Sequence, residues 1–230
     1  MKILRTIRNI IRWIICLFFA TSILSVLAYK WVQVPVTPLM LIRCYQQISK
    51  GEKIKLKHHW VKLDEGIAPD LALAVVASED QKFMTHHGFD LDAISDAWEE
   101  RIEGKRKRGA STISQQTAKN VFLWPGGGWL RKGLEAYFTI LIELIWDKHR
   151  IMEVYLNVIE MGDGIYGADA LAWQHFGRSA NHLTRANCAL IAATLPNPLK
   201  YSSKNPSKYM LRRQTQIMRQ MKNLGSIKWE

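Results

Sequence analysis

Hydrophobic residues divide the chain into one continuous apolar segment near the N-terminus and a longer region in which apolar and polar positions are mixed. Residues 13–31, WIICLFFATSILSVLAYKW, contain no charged residue before Lys30. A helix of this length spans about 28 Å, which is close to the roughly 30 Å hydrocarbon core of a bilayer. We therefore predict a transmembrane helix at residues 13–31.

In the rest of the chain, apolar residues recur mainly at helical spacing, beginning at Pro69, which suits a first helical turn. We predict one long helical tract over residues 129–160, broken near Asp147, and a turn at GDGIYG. Strand signals are scarce, so the predicted fold class is mainly α. The other predicted helical segments are LALAVVA, DLDAISDAWEERIEG, STISQQTAKNVF, ALAWQHFG, TRANCALIAATL and the basic tail SKYMLRRQTQIMRQMKN.

The charge pattern predicts how the apolar segment is oriented. Residues 1–12 contain four basic residues and no acidic one, so the positive-inside rule places them in the cytoplasm and exports everything after Lys30. A cleaved signal peptide is the alternative, but YKWVQVPV offers no small-x-small cleavage site. The whole chain is basic, with 32 Lys and Arg against 20 Asp and Glu. Outside the membrane, such a domain faces anionic lipid and lipid-linked phosphates rather than nucleic acid.

The length of 230 residues fits one good-sized domain plus the anchor. The mixed, partly basic stretch 32–54 is interpreted as a juxtamembrane connector. Cys44 and Cys188 would both lie on the exported side, and the sequence leaves open whether they form a disulfide.

Four segments concentrate polar groups beside apolar or glycine-rich sequence. They begin at Glu79, Gly109, Arg131 and Lys148. Taken singly, they are equally compatible with a solvated helix end, a helix cap or a surface ion pair. The histidines near Glu79 lack the i,i+4 spacing of a helical zinc site, which argues against zinc.

Taken together, the four segments closely resemble the motifs of the family 51 peptidoglycan glycosyltransferases, in particular the monofunctional biosynthetic transglycosylases. The departures are mild: Ala110 replaces Gly, Ser114 replaces Thr, and Asn187 stands where Glu is common. The resemblance covers roughly residues 55–200, which we take as the catalytic domain, followed by a basic C-terminal helix within 201–230. The matched positions are Glu79, Asp80, Phe83, His86 and Gly88 of EDxxFxxHxG, Gly109–Gln116 with Lys119 and Asn120, RKxxE at 131–135, and KxxIxExYLN at 148–157.

The resemblance implies a lysozyme-like, two-lobed helical domain that polymerises lipid II by inverting transfer from undecaprenyl diphosphate to a sugar 4-hydroxyl. It makes Glu79 the general base, because the attacking hydroxyl must lose a proton. Glu135 is the second essential carboxylate, which orients cationic groups or a divalent ion. Cationic stabilisation of the diphosphate falls to Lys119, Arg131 and Lys132. The remaining expected substrate-binding residues are Asp80, Ser111, Thr112, Gln115 and Gln116, with Phe83 and His86 shaping the cleft.

The resemblance also sets expectations for cofactors and partners. No organic cofactor is expected, while Mg²⁺ or Mn²⁺ is possible. The expected partners are lipid II, the lipid-linked glycan strand, membrane lipid and other cell-wall synthesis or division proteins, with the domain on the periplasmic side of the inner membrane. FLWPGGGWL, residues 122–130, is either a mobile lip that dips into the membrane or an ordinary surface loop.

Two other functions are alternatives to this one. A lysozyme-like hydrolase would keep a carboxylic acid at Glu79 but has little use for a cationic diphosphate site. A non-catalytic scaffold has no reason to retain both Glu79 and Glu135. A fused transpeptidase is not expected, because the sequence contains no Ser-x-x-Lys or Lys-Thr-Gly motif.

Overall fold

The computed structural model describes residues 2–104 and 109–229, except for the side chain of Arg101. The predicted basic turn at 105–108 lies outside the described residues. The chain forms two compact units, one up to Gln33 and one from Val34 onward. The helices are α1 (Lys2–Tyr29), α2 (Pro38–Ser49), α3 (Leu63–Gly66), α4 (Pro69–Glu79), α5 (Leu91–Ile102), α6 (Ile113–Phe122), α7 (Trp129–Ile145), α8 (Lys148–Val158), α9 (Ala168–Phe176), α10 (Arg185–Ala192) and α11 (Lys208–Leu224), with a 3₁₀ helix at Ala180–His182.

The first unit is the single helix α1, which extends from the basic segment through the predicted apolar segment to Tyr29. It is long and apolar enough to cross a bilayer. Its large apolar side chains are exposed, with Trp13 at 70% and Leu17 at 64%. Since this apolar surface needs a non-aqueous surrounding, the helix is compatible with a membrane anchor.

The second unit is mainly helical, which confirms the predicted fold class. Its apolar centre is α4, in which every residue from Leu71 to Ala77 is buried. Helices α10 and α11 pack against α4, while α6 packs against α7 and α8. The predicted break near Asp147 is also confirmed: α7 ends at Ile145, and the Asp147 side chain accepts a hydrogen bond from the backbone N–H of Arg150 to cap α8.

The predicted connector, residues 32–54, contains helix α2, which belongs to the second unit. Thr37 caps α2, Pro38 is its first residue, and α2 packs against α6. The Arg43 guanidinium on α2 makes a two-pronged ion pair with Glu160, with N–O distances of 2.9 and 3.1 Å. A segment with a mixed composition can therefore still fold once a partner helix covers its apolar side.

A small sheet was not predicted. Strand β1 (Lys57–His58) lies parallel to β3 (Ile165–Tyr166), which pairs antiparallel with β2 (Glu160–Gly162). The predicted turn at GDGIYG is confirmed only for Asp163 and Gly164, which connect β2 and β3, because Ile165 and Tyr166 of this segment form β3. Its Gly164 has a φ of +68°, and a Cβ there would lie 2.4 Å from the backbone oxygen of Lys55. Strands of two or three residues are too short to produce a visible alternation in the sequence.

Candidate active site

Two adjoining cavities on the second unit are lined by five of the predicted site residues: Glu79, Ser111, Gln116, Lys119 and Arg131. The larger, the polar cleft, has a volume of about 870 Å³, and the smaller, the mixed pocket, about 320 Å³. They share Gln116, Lys119 and Leu195, so a ligand could extend from one into the other. The polar cleft is lined by Glu79, Ser111 and Arg213 among others, and the mixed pocket by Arg43, Arg131 and apolar residues such as Leu123 and Trp124.

Glu79 is the last residue of α4 and lies in the wall of the polar cleft. Its carboxylate accepts hydrogen bonds of 3.2 Å from Ser78 Oγ and from Gln116 Nε2. Burial raises its pKa, while these two bonds and the charge of Arg213 act in the opposite direction. Within the described part of the chain Glu79 has no salt bridge. A partly buried carboxylate that accepts hydrogen bonds only from neutral groups suits a proton acceptor.

Asp80 and His86 hold the turn that follows α4. The Asp80 carboxylate accepts hydrogen bonds from His86 Nε2, at 2.9 Å, and from the backbone N–H of Ile113, at 2.9 Å. His86 Nδ1 accepts the N–H of Gly88 at 3.0 Å, which leaves the proton on Nε2. Both side chains are thus bonded to the protein itself. They fix the start of α6 relative to the end of α4, which is where Gln116 meets Glu79.

Phe83 and Gly88 complete this packing. Phe83 is fully buried, and Lys148 Nζ lies 4.7 Å from its ring centre. Gly88 has a φ of +91°, and a Cβ there would lie 2.8 Å from Thr139 Cγ2. Phe83 is therefore a core residue that lines neither cavity, and position 88 requires glycine.

The four predicted substrate-binding residues of the STISQQ segment have different surroundings. Thr112 is the N-cap of α6 and, together with Gln115, forms a capping box, so both buried side chains are bonded within the helix terminus. Thr112 Oγ1 also donates to the backbone oxygen of Gly88 at 2.7 Å. Ser111 and Gln116 line the polar cleft. The structure therefore places Ser111 and Gln116 where a substrate would lie.

The RKxxE segment forms the first turns of α7. Glu135 is 3% exposed and accepts a 3.0 Å hydrogen bond from Arg131 Nη1 and another from Lys132 Nζ. Arg131 lines the mixed pocket and its side chain is 13% exposed, whereas that of Lys132 is 51% exposed. Because Glu135 pairs with both cations, it positions them as one rigid cluster.

Lys119 stands between the two cavities and is the least neutralised cation of the site. Burial lowers its pKa, the charges of Arg131 and Lys132 lower it further, and Glu135 and Glu79 raise it. In the described residues its ammonium has no hydrogen-bond partner. Nearby, Arg131 Nε is buried and also unpartnered. Two unfilled donors beside a shared cavity are the arrangement expected of an anion site.

Three residues of the site were missed by sequence reasoning. Arg213 reaches from α11 into the polar cleft, where Nη2 lies 3.4 Å from both Ser78 oxygens. Arg43 lines the mixed pocket from α2. Tyr155 is fully buried and donates to Gln116 at 3.2 Å. Only Tyr155 had a sequence signal, because it belongs to the KxxIxExYLN motif; Arg43 and Arg213 are brought in by helix packing.

A divalent cation would need several oxygen or nitrogen ligands close together in the site. Among the described residues, no group of three or more His, Cys, Asp or Glu side chains comes together. Both oxygens of Glu135 already accept from Arg131 and Lys132. Since these two cations would repel a metal ion, the arrangement does not fit one at Glu135. The divalent ion expected from the resemblance stays a prediction, to be tested with a chelator.

The loop before α7 joins the site to an apolar surface. Trp124, Pro125 and Gly126 line the mixed pocket. Beyond them, Trp129 is 94% exposed and Leu130 is 74% exposed. Such large apolar side chains in water are costly, so this edge of the site is suited to contact with an apolar partner.

Comparisons with known proteins give matches of one kind over most of the chain. The family model described as "Transglycosylase" matches residues 46–222. A "Biosynthetic peptidoglycan transglycosylase" of Bacteroides thetaiotaomicron is 57% identical over 96% of this chain and 87% of its own length. Proteins of the same name from Xanthomonas campestris and Bdellovibrio bacteriovorus are 50% and 51% identical, over 96% and 93% of this chain and 91% and 85% of their own lengths.

Proposed function

This chain belongs to the transglycosylase family, and from that premise we propose that it polymerises lipid II into glycan strands with Glu79 as the general base. It is a glycosyltransferase, and its substrate is a lipid-linked glycan. The observation that carries the proposed mechanism is the placement of Glu79: a partly buried carboxylate with no ion pair among the described residues, in the wall of a cleft that adjoins a cationic pocket.

The bond-forming step takes place in the polar cleft. The 4-hydroxyl oxygen of the acceptor sugar attacks the anomeric carbon of the donor, and its proton passes to the Glu79 carboxylate. Burial raises the pKa of Glu79, which makes the ionised form a stronger base than an exposed glutamate. Gln116 and Ser78 hold the carboxylate in place through their hydrogen bonds. Attack from the face opposite the leaving group inverts the anomeric configuration.

The bond-breaking step is assigned to the cations at the junction of the two cavities. As the anomeric C–O bond breaks, the diphosphate retains the electron pair and gains negative charge. Among the described residues, the Lys119 ammonium and Arg131 Nε have no hydrogen-bond partner, and Lys132 is held beside Arg131 by Glu135. These cations stabilise the departing diphosphate, which therefore needs no proton donor of its own.

The membrane arrangement is part of the proposal. The apolar helix α1 serves as the anchor, the N-terminus lies in the cytoplasm, and the second unit works on the periplasmic side. Trp129 and Leu130 support the proposal that the 122–130 segment contacts the membrane beside the polyprenyl chain of the substrate. The four basic residues before the apolar segment support the orientation, which a reporter fused after residue 230 would test.

The test uses purified full-length protein and labelled lipid II in detergent. A ladder of polymer on a gel is expected, and lysozyme should digest this ladder. Lys222→Met changes an exposed lysine of α11 and should give the same ladder as the wild type. Unchanged lipid II would contradict the proposed function. Release of short sugar fragments from preformed glycan, without polymerisation, would instead favour the hydrolase.

A further inference from the structure

A buried tyrosine, Tyr155, is connected to the proposed base Glu79 through hydrogen bonds to one shared side chain, that of Gln116. The hydroxyl of Tyr155, on α8, donates to Gln116 Oε1 at 3.2 Å. The other end of the same amide, Gln116 Nε2, donates to Glu79 Oε2 at 3.2 Å. Within the part of the chain that the structure describes, the Tyr155 hydroxyl has no other hydrogen-bond partner. The three side chains thus form a line from the core of the domain to the wall of the polar cleft.

This line determines which way the Gln116 amide points. With Nε2 toward Glu79, the amide donates to the carboxylate and its oxygen accepts the tyrosine proton, so all these groups are satisfied. In the reverse orientation the amide oxygen would face the carboxylate. The Tyr155 hydroxyl proton would then be buried without an acceptor. Tyr155 therefore favours the orientation in which Gln116 donates to an ionised Glu79.

We propose that Tyr155 is a positioning residue for the transferase reaction: it fixes the Gln116 amide as a donor, which holds the Glu79 carboxylate ionised and in place. The proposal rests on the proposed role of Glu79 as the base. It assigns to the tyrosine of the KxxIxExYLN motif a function at the reacting centre, although Tyr155 is fully buried and lines neither cavity.

The protonation of Tyr155 itself is constant. Burial, together with the negative charges of Glu79 and Asp80, raises the pKa of its hydroxyl well above the ordinary value. The hydroxyl therefore keeps its proton at every pH at which the enzyme would work. A tyrosine that never ionises is a dependable donor to the amide oxygen.

Other groups also influence the titration of Glu79. Desolvation raises the pKa of its carboxyl, the bonds from Gln116 and Ser78 lower it, Arg213 on α11 lowers it, and Asp80 raises it. Lys119 on α6 interacts with it across the cleft. The titratable groups of α10, which also packs on α4, lie near Asp70 at the other end of that helix. Two neutral side chains, Gln116 and Ser78, donate hydrogen bonds to Glu79. Of these two, Gln116 is the one that is oriented by a buried tyrosine.

Removal of the tyrosine hydroxyl should therefore change the pH dependence of the reaction. In Tyr155→Phe the ring still fills its place, but the Gln116 amide loses the partner that orients it. The pKa of Glu79 then rises, because a hydrogen bond to its charged form is weakened. We expect the acidic limb of kcat/KM to move to higher pH by roughly half a unit to one unit. On that limb the rate should fall roughly three- to tenfold, and above it the rate should nearly recover.

The experiment measures kcat/KM with lipid II against pH for the full-length wild type, Tyr155→Phe and Tyr166→Phe in detergent. Tyr166 is the matched control, since it is also fully buried and its hydroxyl lies 3.5 Å from Glu160, away from Glu79. Tyr166→Phe should leave the position of the acidic limb unchanged. An acidic limb at the wild-type position in Tyr155→Phe would overturn the proposal, whatever the overall rate, because a purely structural role lowers the rate at all pH values.

A double-mutant cycle tests the route through the amide. Gln116→Met removes the donor and should displace the acidic limb in the same direction, which also keeps the proposal testable if Tyr155→Phe folds poorly. In the Gln116→Met background, Tyr155→Phe should cause no further displacement. Displacements that add in full would overturn the proposal, because Tyr155 would then act on Glu79 by another route.

A second readout separates this inference from the proposed function. Infrared titration of the full-length protein should contain one carboxyl band that is absent in Glu79→Gln, and the midpoint of this band should rise in Tyr155→Phe. An unchanged midpoint would overturn the role of Tyr155. A wild-type protein that leaves lipid II unchanged would overturn the proposed function, while the infrared result would still report on the contact between Tyr155, Gln116 and Glu79.

Discussion

Glu79 and Glu135 are two carboxylates of one site, the first partly buried and the second fully buried, and their hydrogen-bond partners differ. Glu79 accepts hydrogen bonds from two neutral side chains, and burial raises its pKa. Glu135 is bonded to two cations, Arg131 and Lys132. The first carboxylate is suited to exchange a proton with a substrate, while both oxygens of the second accept hydrogen bonds from its cationic partners. We therefore propose that the same residue type serves as a base in one place and supports cations in the other.

The difference between the two originates in local sequence. Glu79 ends an apolar helix whose preceding turns are all buried, so no cation reaches it along its own helix. Glu135 follows Arg131 and Lys132 by four and three positions, which places all three side chains on one face of α7. The apolar sequence of α4 thus gives Glu79 no ion-pair partner on its own helix, whereas the start of α7 supplies Glu135 with two.

The largest effect is expected for Glu79→Gln. The amide keeps the size of the side chain but cannot accept the proton of the acceptor hydroxyl. Polymerisation of lipid II should therefore fall by about 100-fold or more. Binding of lipid II should remain, as measured by fluorescence anisotropy. Glu65→Gln, on the exposed surface of α3, serves as the control and should polymerise normally.

A similar loss is expected for Lys119→Met. This change removes the one cation between the cavities that has no hydrogen-bond partner in the described residues. Stabilisation of the leaving diphosphate should weaken by about 3 kcal/mol, which corresponds to roughly a hundredfold in kcat. Single-turnover rates with lipid II provide the measurement. Wild-type turnover in this variant would show that Lys119 is not part of the diphosphate site.

A smaller effect is expected for Arg213→Gln. The Arg213 charge lowers the pKa of Glu79, so its removal should raise that pKa. Since the ionised form is the active base, the acidic limb of kcat/KM should move to higher pH. The rate on that limb should fall several-fold, by roughly three- to tenfold, and the pH–rate profile provides the measurement. A limb that moved to lower pH would show that Arg213 does not face the base in solution.

The smallest effect concerns stability. Because the pKa of Glu79 is raised in the folded protein, its contribution to stability is fully present below the unfolded pKa of about 4.3 and is lost as the pH rises through the folded pKa. Glu79→Gln, which does not titrate, should therefore gain stability relative to the wild type as the pH rises from 4 to 7. Thermal unfolding of both proteins at the two pH values measures this gain. An equal Tm difference at both would contradict the raised pKa.

Much of the fold could be predicted because helix boundaries depend on local chemistry. Pro69 at the start of α4, Thr112 as the cap of α6 and Asp147 as the cap of α8 are all visible in the sequence. The small sheet was not predictable, because its strands are held by partners far apart in the chain, such as Lys57 and Ile165. Helix α2 was not predicted for the same reason, because it is stabilised by packing on α6.

The candidate site was predictable to a different degree at each residue. The motif positions were all identified, but their individual surroundings depend on packing. Thr112 and Gln115 are bonded to each other at the helix cap, whereas Ser111 and Gln116, their immediate neighbours, line the cleft. Arg213 could not be identified, because nothing in the basic α11 sequence distinguishes the one arginine that turns toward Glu79.

The pH dependence of Glu135→Gln beside that of the wild type tests the distinction between the two glutamates most directly. We predict that kcat/KM with lipid II falls roughly tenfold or more at all pH values in this variant, because Arg131 and Lys132 lose their shared partner, while the acidic limb is retained at lower amplitude. The residual activity of Glu79→Gln should lack that limb. A limb that persists in Glu79→Gln and disappears in Glu135→Gln would contradict the account and make Glu135 the base.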